Sequence, residues 1–315
     1  MEVLASGEGA YVQPDPDGFR EWVRTHKTRA LVNKLMTEEE AISRFLNDGD
    51  YLSTDNNPNS LIREIIRQRK RDLWIATKYG GPTFLIAAGC VSRIDVGFMG
   101  TAPYLTRAVE EGRVRATEWS NGAMTMRHLA GAMGLPFIPI RYMGGTDSFV
   151  NSGAKLVTDP FTGQPICLLP AINPDVAMVH VHEADVYGNA RIYGPNISSL
   201  ETAMSAKRTI VSAEEIIDEQ EIRRNPQRTT IPHFAVDAVV HAPFGSWPYF
   251  CLGRYALDYE NLMEQGIAAF DAEKMEDYLD KYIYSVASDR EMLEQVGAER
   301  LQQLRELETV REGYC

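Results

Sequence analysis

Apolar residues recur along this chain in short runs, separated by stretches of helical spacing. Runs at 51–54, 73–77, 94–98, 114–117 and 137–140 predict strands. Between them, Leu61, Ile62, Ile65 and Ile66 fall on one helical face behind Pro58, and 83–88, 105–111 and 123–133 also read as helices. Thr37 followed by Glu38, Glu39 and Glu40 predicts a capped helix start, with Glu40 at the capping-box position. That helix ends at the turn cluster Asn47-Asp48-Gly49-Asp50. Strand and helix alternating through short connections predict an α/β fold: an open, mainly parallel sheet with helices on both faces. The strands are short and apolar, as burial on both faces requires. Segments 155–158 and 166–169 flank Asp159-Pro160-Phe161-Thr162-Gly163, a turn signal that predicts a small antiparallel insertion. Further strands are expected at 175–181, 209–212 and 236–241, and a charged helical tail from Tyr259 onward. The opening is different. Gly7, Gly9, Pro14, Pro16 and Gly18 make a loop, and 19–36 has room for a short amphipathic helix. The expected division is an N-terminal arm, 1–36, packing on the body or on a partner, and one body, 37–315.

Composition narrows the function. Hydrophobic residues make up 44% and charged residues 24%, enough for a substantial core. The net charge of −12 argues against nucleic-acid binding and against anionic membranes. The compact basic run Arg67-Gln68-Arg69-Lys70-Arg71 closes a predicted helix, where cations complement the helix dipole, and is read as a solvated helix end. Cys90, Cys167, Cys251 and Cys315 form no close pair, so neither a zinc site nor a disulfide framework is indicated. With no leader pattern and no apolar run long enough for a bilayer, a cytoplasmic location is expected.

Four stretches carry candidate chemistry. His180 and His182 share one face of a strand, and with Glu183 or Asp185 they could hold a metal. A polar strand end running into a turn explains them more simply, and no metal is assigned. Gly80-Gly81, Gly144-Gly145 and Gly245-Ser246-Trp247-Pro248 each follow a predicted strand. Ligands of open α/β sheets bind at the carboxyl ends of strands, and glycine there lets them reach the backbone. Plain turns are the competing reading. Asp55-Asn56-Asn57 follows the first body strand, placed either to hydrogen-bond a carboxylate or thioester oxygen or to cap the helix that Pro58 begins. No Gly-x-Ser-x-Gly elbow exists, so a serine hydrolase is not supported.

Several of these stretches, taken together, resemble one family. Thr209-Ile210-Val211, Glu214-Glu215-Ile216-Ile217, Glu221-Ile222-Arg223-Arg224-Asn225-Pro226, Val236-Asp237-Ala238-Val239-Val240 and Ala242-Pro243-Phe244-Gly245-Ser246-Trp247-Pro248 are similar to the A subunits of family I coenzyme A transferases, glutaconate CoA-transferase in particular. Gly134-Leu135-Pro136-Phe137-Ile138-Pro139 and Glu64-Ile65-Ile66-Arg67-Gln68 fit the same order. The resemblance implies an A subunit that forms an αβ pair with a B subunit, within a higher oligomer. The B subunit supplies the glutamate that attacks the acyl-CoA, and no catalytic residue is expected in this chain. Coenzyme A thioester enters as substrate, with no permanently bound cofactor. The A subunit is expected to shape the acid pocket through Asp55, Asn56, Asn57, Gly80, Gly81, Gly144, Gly145, Gly245 and Ser246. One departure stands out: Asp55-Asn56-Asn57-Pro58 replaces the family's Gly-Gly-Phe stretch and basic residue. A related CoA-thioester hydrolase or decarboxylase is therefore an alternative, and a non-catalytic acid or acyl-CoA sensor is another.

Overall fold

The computed structural model describes residues 2–78, 83–100, 102–194, 196 and 198–308. Its strands are Val3–Ser6 (β1), Leu35–Met36 (β2), Tyr51–Asp55 (β3), Leu73–Thr77 (β4), Val91–Val96 (β5), Arg115–Glu118 (β6), Phe137–Ile140 (β7), Lys155–Thr158 (β8), Pro165–Pro170 (β9), Val176–Ala184 (β10), Ala190–Arg191 (β11), Arg208–Ile216 (β12) and Ala238–His241 (β13). The early helices are Pro16–His26 (α1), Glu38–Phe45 (α2), Asn59–Arg67 (α3), Thr83–Ala87 (α4), Pro103–Glu110 (α5), Asn121–Ala132 (α6), Asp147–Val150 (α7), Ser199–Ser205 (α8) and Glu219–Arg224 (α9). The tail adds Tyr259–Ala268 (α10), Ala272–Leu279 (α11), Asp289–Val296 (α12) and Ala298–Leu307 (α13).

The large sheet runs β2-β13-β12-β10-β3-β4-β5-β6, and all these neighbours are parallel. Short β11 pairs antiparallel with β10. From β3 the chain builds outward through β4, β5 and β6, and later returns to place β10 on the other side of β3. That reversal opens a crevice at the carboxyl ends of β3 and β10. A second, antiparallel sheet runs β1-β8-β9-β7. The hairpin expected around Gly163 is β8 and β9. The run at 137–140 forms a strand too, but β7 joins the antiparallel sheet rather than the parallel one. An apolar run of that length carries no mark of which sheet it enters.

Period-two alternation on the strands divides the core. Leu52, Ile75 and Ile94 pack with Leu61 and Ile65 of α3 and with Tyr278 and Ile283 of the tail. Tyr51 and Ala76 face the other way, toward Ala123 and Met124 of α6 and Ile140 and Leu169 of the small sheet. The expected capping box forms at Thr37, which accepts from the Glu40 amide while Glu40 accepts from the Thr37 amide. Residues 2–36 bridge the two sheets: β1 pairs with β8, and β2 with β13. The helix within this stretch starts earlier than expected, at Pro16, because Asp15 caps it by accepting from the Gly18 amide. It stops at His26.

Between the large sheet and α6 lies a buried polar network. Asp95 is 0% exposed and accepts from Tyr51 Oη at 2.6 Å, Trp74 Nε1 at 2.9 Å and Arg127 Nη1 at 2.7 Å. The neighbouring His128 bridges Ser53 Oγ and Ser205 Oγ at 3.1 and 3.0 Å. Burial, then the charges of Lys78 and Arg127, hold His128 well below its usual 6.5. The unfolded chain takes up this proton near pH 6.5, while the folded one does not until lower pH, so stability declines as pH falls below about 6.5. We expect urea unfolding to show this decline, at most about 1.4 kcal/mol per pH unit from His128. Its part of the slope should vanish in His128→Gln.

Candidate active site

Three parallel strands deliver the site. β3 ends at Asp55, whose register partner on β10 is Val179, beside His180. His180 is in turn level with Ser212 of β12, and Glu214 follows on the same face of that strand. Residues 242–248, after β13, close over these groups, and Ala242 hydrogen-bonds back to Ala213.

Glu214 is the centre of the cluster. Its side chain is 7% exposed, yet both oxygens are engaged. Oε1 accepts from His180 Nε2 at 2.8 Å, Tyr255 Oη at 2.7 Å and the Gly245 amide at 3.2 Å. Oε2 accepts from the Phe244 amide at 2.8 Å. Burial pushes the carboxyl pKa up, but the donors from His180, Tyr255 and Phe244 outweigh it, and the net direction is below the usual 4.5. An ionised carboxylate only accepts, so His180 Nε2 carries the hydrogen. His180 Nδ1 meets Ser212 Oγ at 2.9 Å.

Asn56 and Asn57 both take left-handed φ, 55° and 52°, a conformation asparagine tolerates. Of the two readings of this trio, the helix cap does not form: the N-cap of α3 is Pro58 and has no side-chain cap bond. Asn56 Nδ2 donates instead to the His180 carbonyl at 3.3 Å and to Ser199 Oγ at 3.2 Å. Asp55 Oδ2 lies 3.1 Å from Lys78 Nζ, in a pair whose side chains are 13% and 8% exposed. The basic side chain missing from the loop sequence is thus brought in by the end of the next strand.

Ser246 is locked from several directions. Its Oγ donates to the Asn56 carbonyl at 3.0 Å, its amide to Tyr255 Oη at 3.1 Å, and its carbonyl accepts from Asn59 Nδ2 at 2.8 Å. Gly245 is needed for close approach, since a Cβ there would lie 2.7 Å from the Ala242 carbonyl oxygen and 2.7 Å from His180 Cε1. The Gly245 amide, which a ligand at this strand end could have reached, is given to Glu214, as is the Phe244 amide. The structure therefore brings Asp55, Asn56, Gly245 and Ser246 together around His180. Gly144 and Gly145 follow β7 of the small sheet, and Gly80 and Gly81 lie outside the described residues.

The metal reading changes its members. His182 Nε2 meets the Leu252 carbonyl at 2.8 Å, Glu183 pairs with Arg191, and Asp185 accepts the Tyr187 and Asn189 amides. The residues that do converge are His180, Glu214 and Cys251, whose ligand atoms lie within 4.8 Å of one another. Both ring nitrogens of His180 and both oxygens of Glu214 already have partners. Burial, then Glu214, pushes the Cys251 thiol far above its usual range and so away from the thiolate a metal needs. His180 and Glu214 instead belong to a hydrogen-bonded cluster with Ser212 and Tyr255. Sequence reasoning missed Glu214, Tyr255, Lys78 and Ser199 as site residues. The signal available for Glu214 was its position two residues after Ser212 on a strand beside the His180 strand.

With this geometry in hand, likeness to known proteins becomes specific. The profile of the family described as Coenzyme A transferase matches residues 35–242. The A subunit of the 3-oxoadipate CoA-transferase of Pseudomonas knackmussii is 34% identical over 79% of this chain and 93% of its own length. The solved glutaconate coenzyme A-transferase of Acidaminococcus fermentans superposes with a TM-score of 0.81 at 29% identity, covering 86% of this chain and 95% of that one. A solved variant of the decarboxylase AibA/AibB follows at a TM-score of 0.68 and 33% identity, covering 78% of this chain and 98% of its own. No helix among the described residues is long and apolar enough to cross a membrane. Fold and sequence agree, and the chain belongs to the coenzyme A transferase family.

Proposed function

We propose that this chain is the A subunit of a heteromeric CoA-transferase that moves CoA between an acyl-CoA and a small carboxylic or dicarboxylic acid. The nucleophilic glutamate comes from a B subunit. The observation that carries this reading is the state of Glu214. A nucleophilic carboxylate needs a free oxygen lone pair facing the acyl carbonyl. Glu214 takes three donors on Oε1 and one on Oε2, is held ionised by them, and is only 7% exposed, so no lone pair faces the crevice. It holds His180 and the 242–248 loop in place.

In such a transfer the partner's glutamate attacks the thioester carbonyl and expels CoA thiolate, leaving a mixed anhydride. The thiolate then attacks the glutamyl carbonyl, releasing the first acid and forming a glutamyl-CoA thioester. A second acid reverses the two steps. This chain's part is to line the acid side of the crevice with the Asp55, Asn56 and Lys78 polar groups. That both the 3-oxoadipate and the glutaconate enzymes carry names of dicarboxylic acids supports an acid of this class.

The test is reconstitution with the B subunit. The chain alone should show no exchange of labelled CoA between two acids, and the pair should show it. Hydroxylamine trapping during turnover should place the hydroxamate mass tag on the partner chain. Finding the tag on Glu214 would overturn the assignment. The likeness to the decarboxylase AibA/AibB supports a second reading, a thioester decarboxylase or hydrolase on the same architecture. In that case the pair releases carbon dioxide or free CoA and exchanges no label.

A further inference from the structure

Lys78 directly follows β4, and its ammonium reaches Asp55 at the end of β3. β4 and β10 flank β3, so Lys78 stands about two strand spacings, roughly 10 Å, across the crevice from the His180 strand. For its depth, the pair is poorly served. The two side chains are only 8% and 13% exposed. Asp55 Oδ2 is buried and has no hydrogen bond of sound geometry among the described residues, although Lys78 Nζ lies 3.1 Å away. The other oxygen is turned to the Asn56 amide at 3.1 Å. An ammonium has three hydrogens, and Lys78 finds no acceptor besides Asp55 among the described residues.

Other buried charges of this chain are completed by the fold. Lys27, equally 8% exposed, donates to the Ala235 carbonyl at 2.6 Å and to Asp237 at 3.1 Å. Asp95 takes three donors. A buried ion pair contributes little unless further hydrogen bonds satisfy its remaining sites. At Asp55 and Lys78 those sites are left open at the carboxyl end of the sheet, beside the exposed Asn56, where ligands of this architecture bind.

The absent group must accept from Lys78 and donate to Asp55. A carboxylate accepts from the ammonium but is repelled by Asp55. A keto oxygen accepts and cannot donate. A hydrocarbon end does neither and leaves both charges desolvated. A hydroxyl does both.

Resting on the transferase reading above, we propose that Asp55 and Lys78 are specificity-determining residues, and that the site takes a monocarboxylic acid with a hydroxyl at its far end. The acid reacts by its carboxyl near the His180 cluster and meets the pair with its hydroxyl. Lys78 donates to the hydroxyl oxygen, which donates its hydrogen to Asp55 Oδ2. Asp55 also cancels the charge that would otherwise draw a second carboxylate. The 3-oxoadipate and glutaconate relatives carry the names of dicarboxylates. The loop that carries Asp55 is where this chain departs from the family's Gly-Gly-Phe stretch and basic residue.

The test uses the reconstituted pair of subunits and acids matched in length: butyrate, 4-hydroxybutyrate and succinate, then valerate, 5-hydroxyvalerate and glutarate. CoA exchange and calorimetric binding are read side by side. In at least one series the hydroxy acid should exceed both matched acids by at least about tenfold, in kcat/KM and in affinity. Asp55→Asn should shift the ratio toward the dicarboxylate by at least about tenfold, because Lys78 is then an uncancelled cation. A gain in dicarboxylate turnover cannot come from misfolding. Lys78→Met should bring the hydroxy acid down toward its unsubstituted match without that gain. Exchange with no preference for the hydroxy acid would overturn this proposal and leave the transferase reading standing. Preference for the hydroxy acid in binding, with no exchange of any acid, would do the reverse. No preference in either readout, or a wild-type preference for dicarboxylates, would overturn the proposal. So would an Asp55→Asn variant that keeps the wild-type order.

Discussion

Glu214→Gln is expected to lower the unfolding free energy by about 3 kcal/mol and to abolish turnover of the reconstituted pair. The carboxylate takes four donors, three on Oε1 and one on Oε2. A glutamine can keep its oxygen toward one group only. Its amide hydrogens then face either the Phe244 amide or the His180, Tyr255 and Gly245 donors, a clash of donors in a buried place. The charge that makes these bonds strong is also gone. Urea unfolding and CoA exchange measure the two losses together. The pH dependence follows from the same bonds. The folded pKa lies below the usual 4.5, so the stabilisation is present above that value and is lost as pH falls through the folded pKa. The acid limb of the stability curve should therefore shallow in Glu214→Gln. Full stability with lost turnover would instead make Glu214 a reacting group.

Gly245→Val is expected to cost about 3 kcal/mol and to remove activity as well. The new Cβ would lie 2.7 Å from the Ala242 carbonyl oxygen and from His180 Cε1, and 2.9 Å from His180 Nδ1. Neither neighbour can yield. The carbonyl accepts the Gly245 amide, and the ring is pinned by Ser212 and Glu214. From sequence alone, a strand-end glycine suggests a loss of turnover with little loss of stability. The observed packing makes the two fall together, and thermal melting beside exchange assays tests this.

What the chain reveals before folding is mostly local. The Thr37 capping box, the alternation from β3 to β6 and the hairpin of β8 and β9 are set by near neighbours, and each stands where its pattern points. β7 shows the boundary of that approach: its apolar run predicts a strand, but its partner is chosen by packing against β9. The site was half legible. Asn56, Gly245 and Ser246 mark themselves by type and by position after strands, whereas His180 reads only as part of a polar strand end. Glu214 sits in a Glu-Glu pair of ordinary surface appearance, and its burial depends on a loop about 30 residues on and on Tyr255, with contacts at separations of 30 and 41. The basic run at the end of α3 lines a cleft whose opposite wall comes from Tyr284 and its neighbours in the tail, a juxtaposition that no local pattern announces.

The bridge made by residues 2–36 has a consequence for the order in which the molecule assembles. Val3 pairs with Val157, and Leu35 with Val239. Residues 3–6 therefore wait for β8, and residues 35–36 wait for the last strand of the large sheet, before they have a place. Such distant pairings must close large loops before any contact rewards them, which slows folding. Until then the β13 edge is open to any passing strand, and Leu31, Val32 and Leu35, exposed even in the finished fold, are free to answer it. Pairings this distant in the chain are expected to close late, and the interval before they close to be when aggregation is easiest.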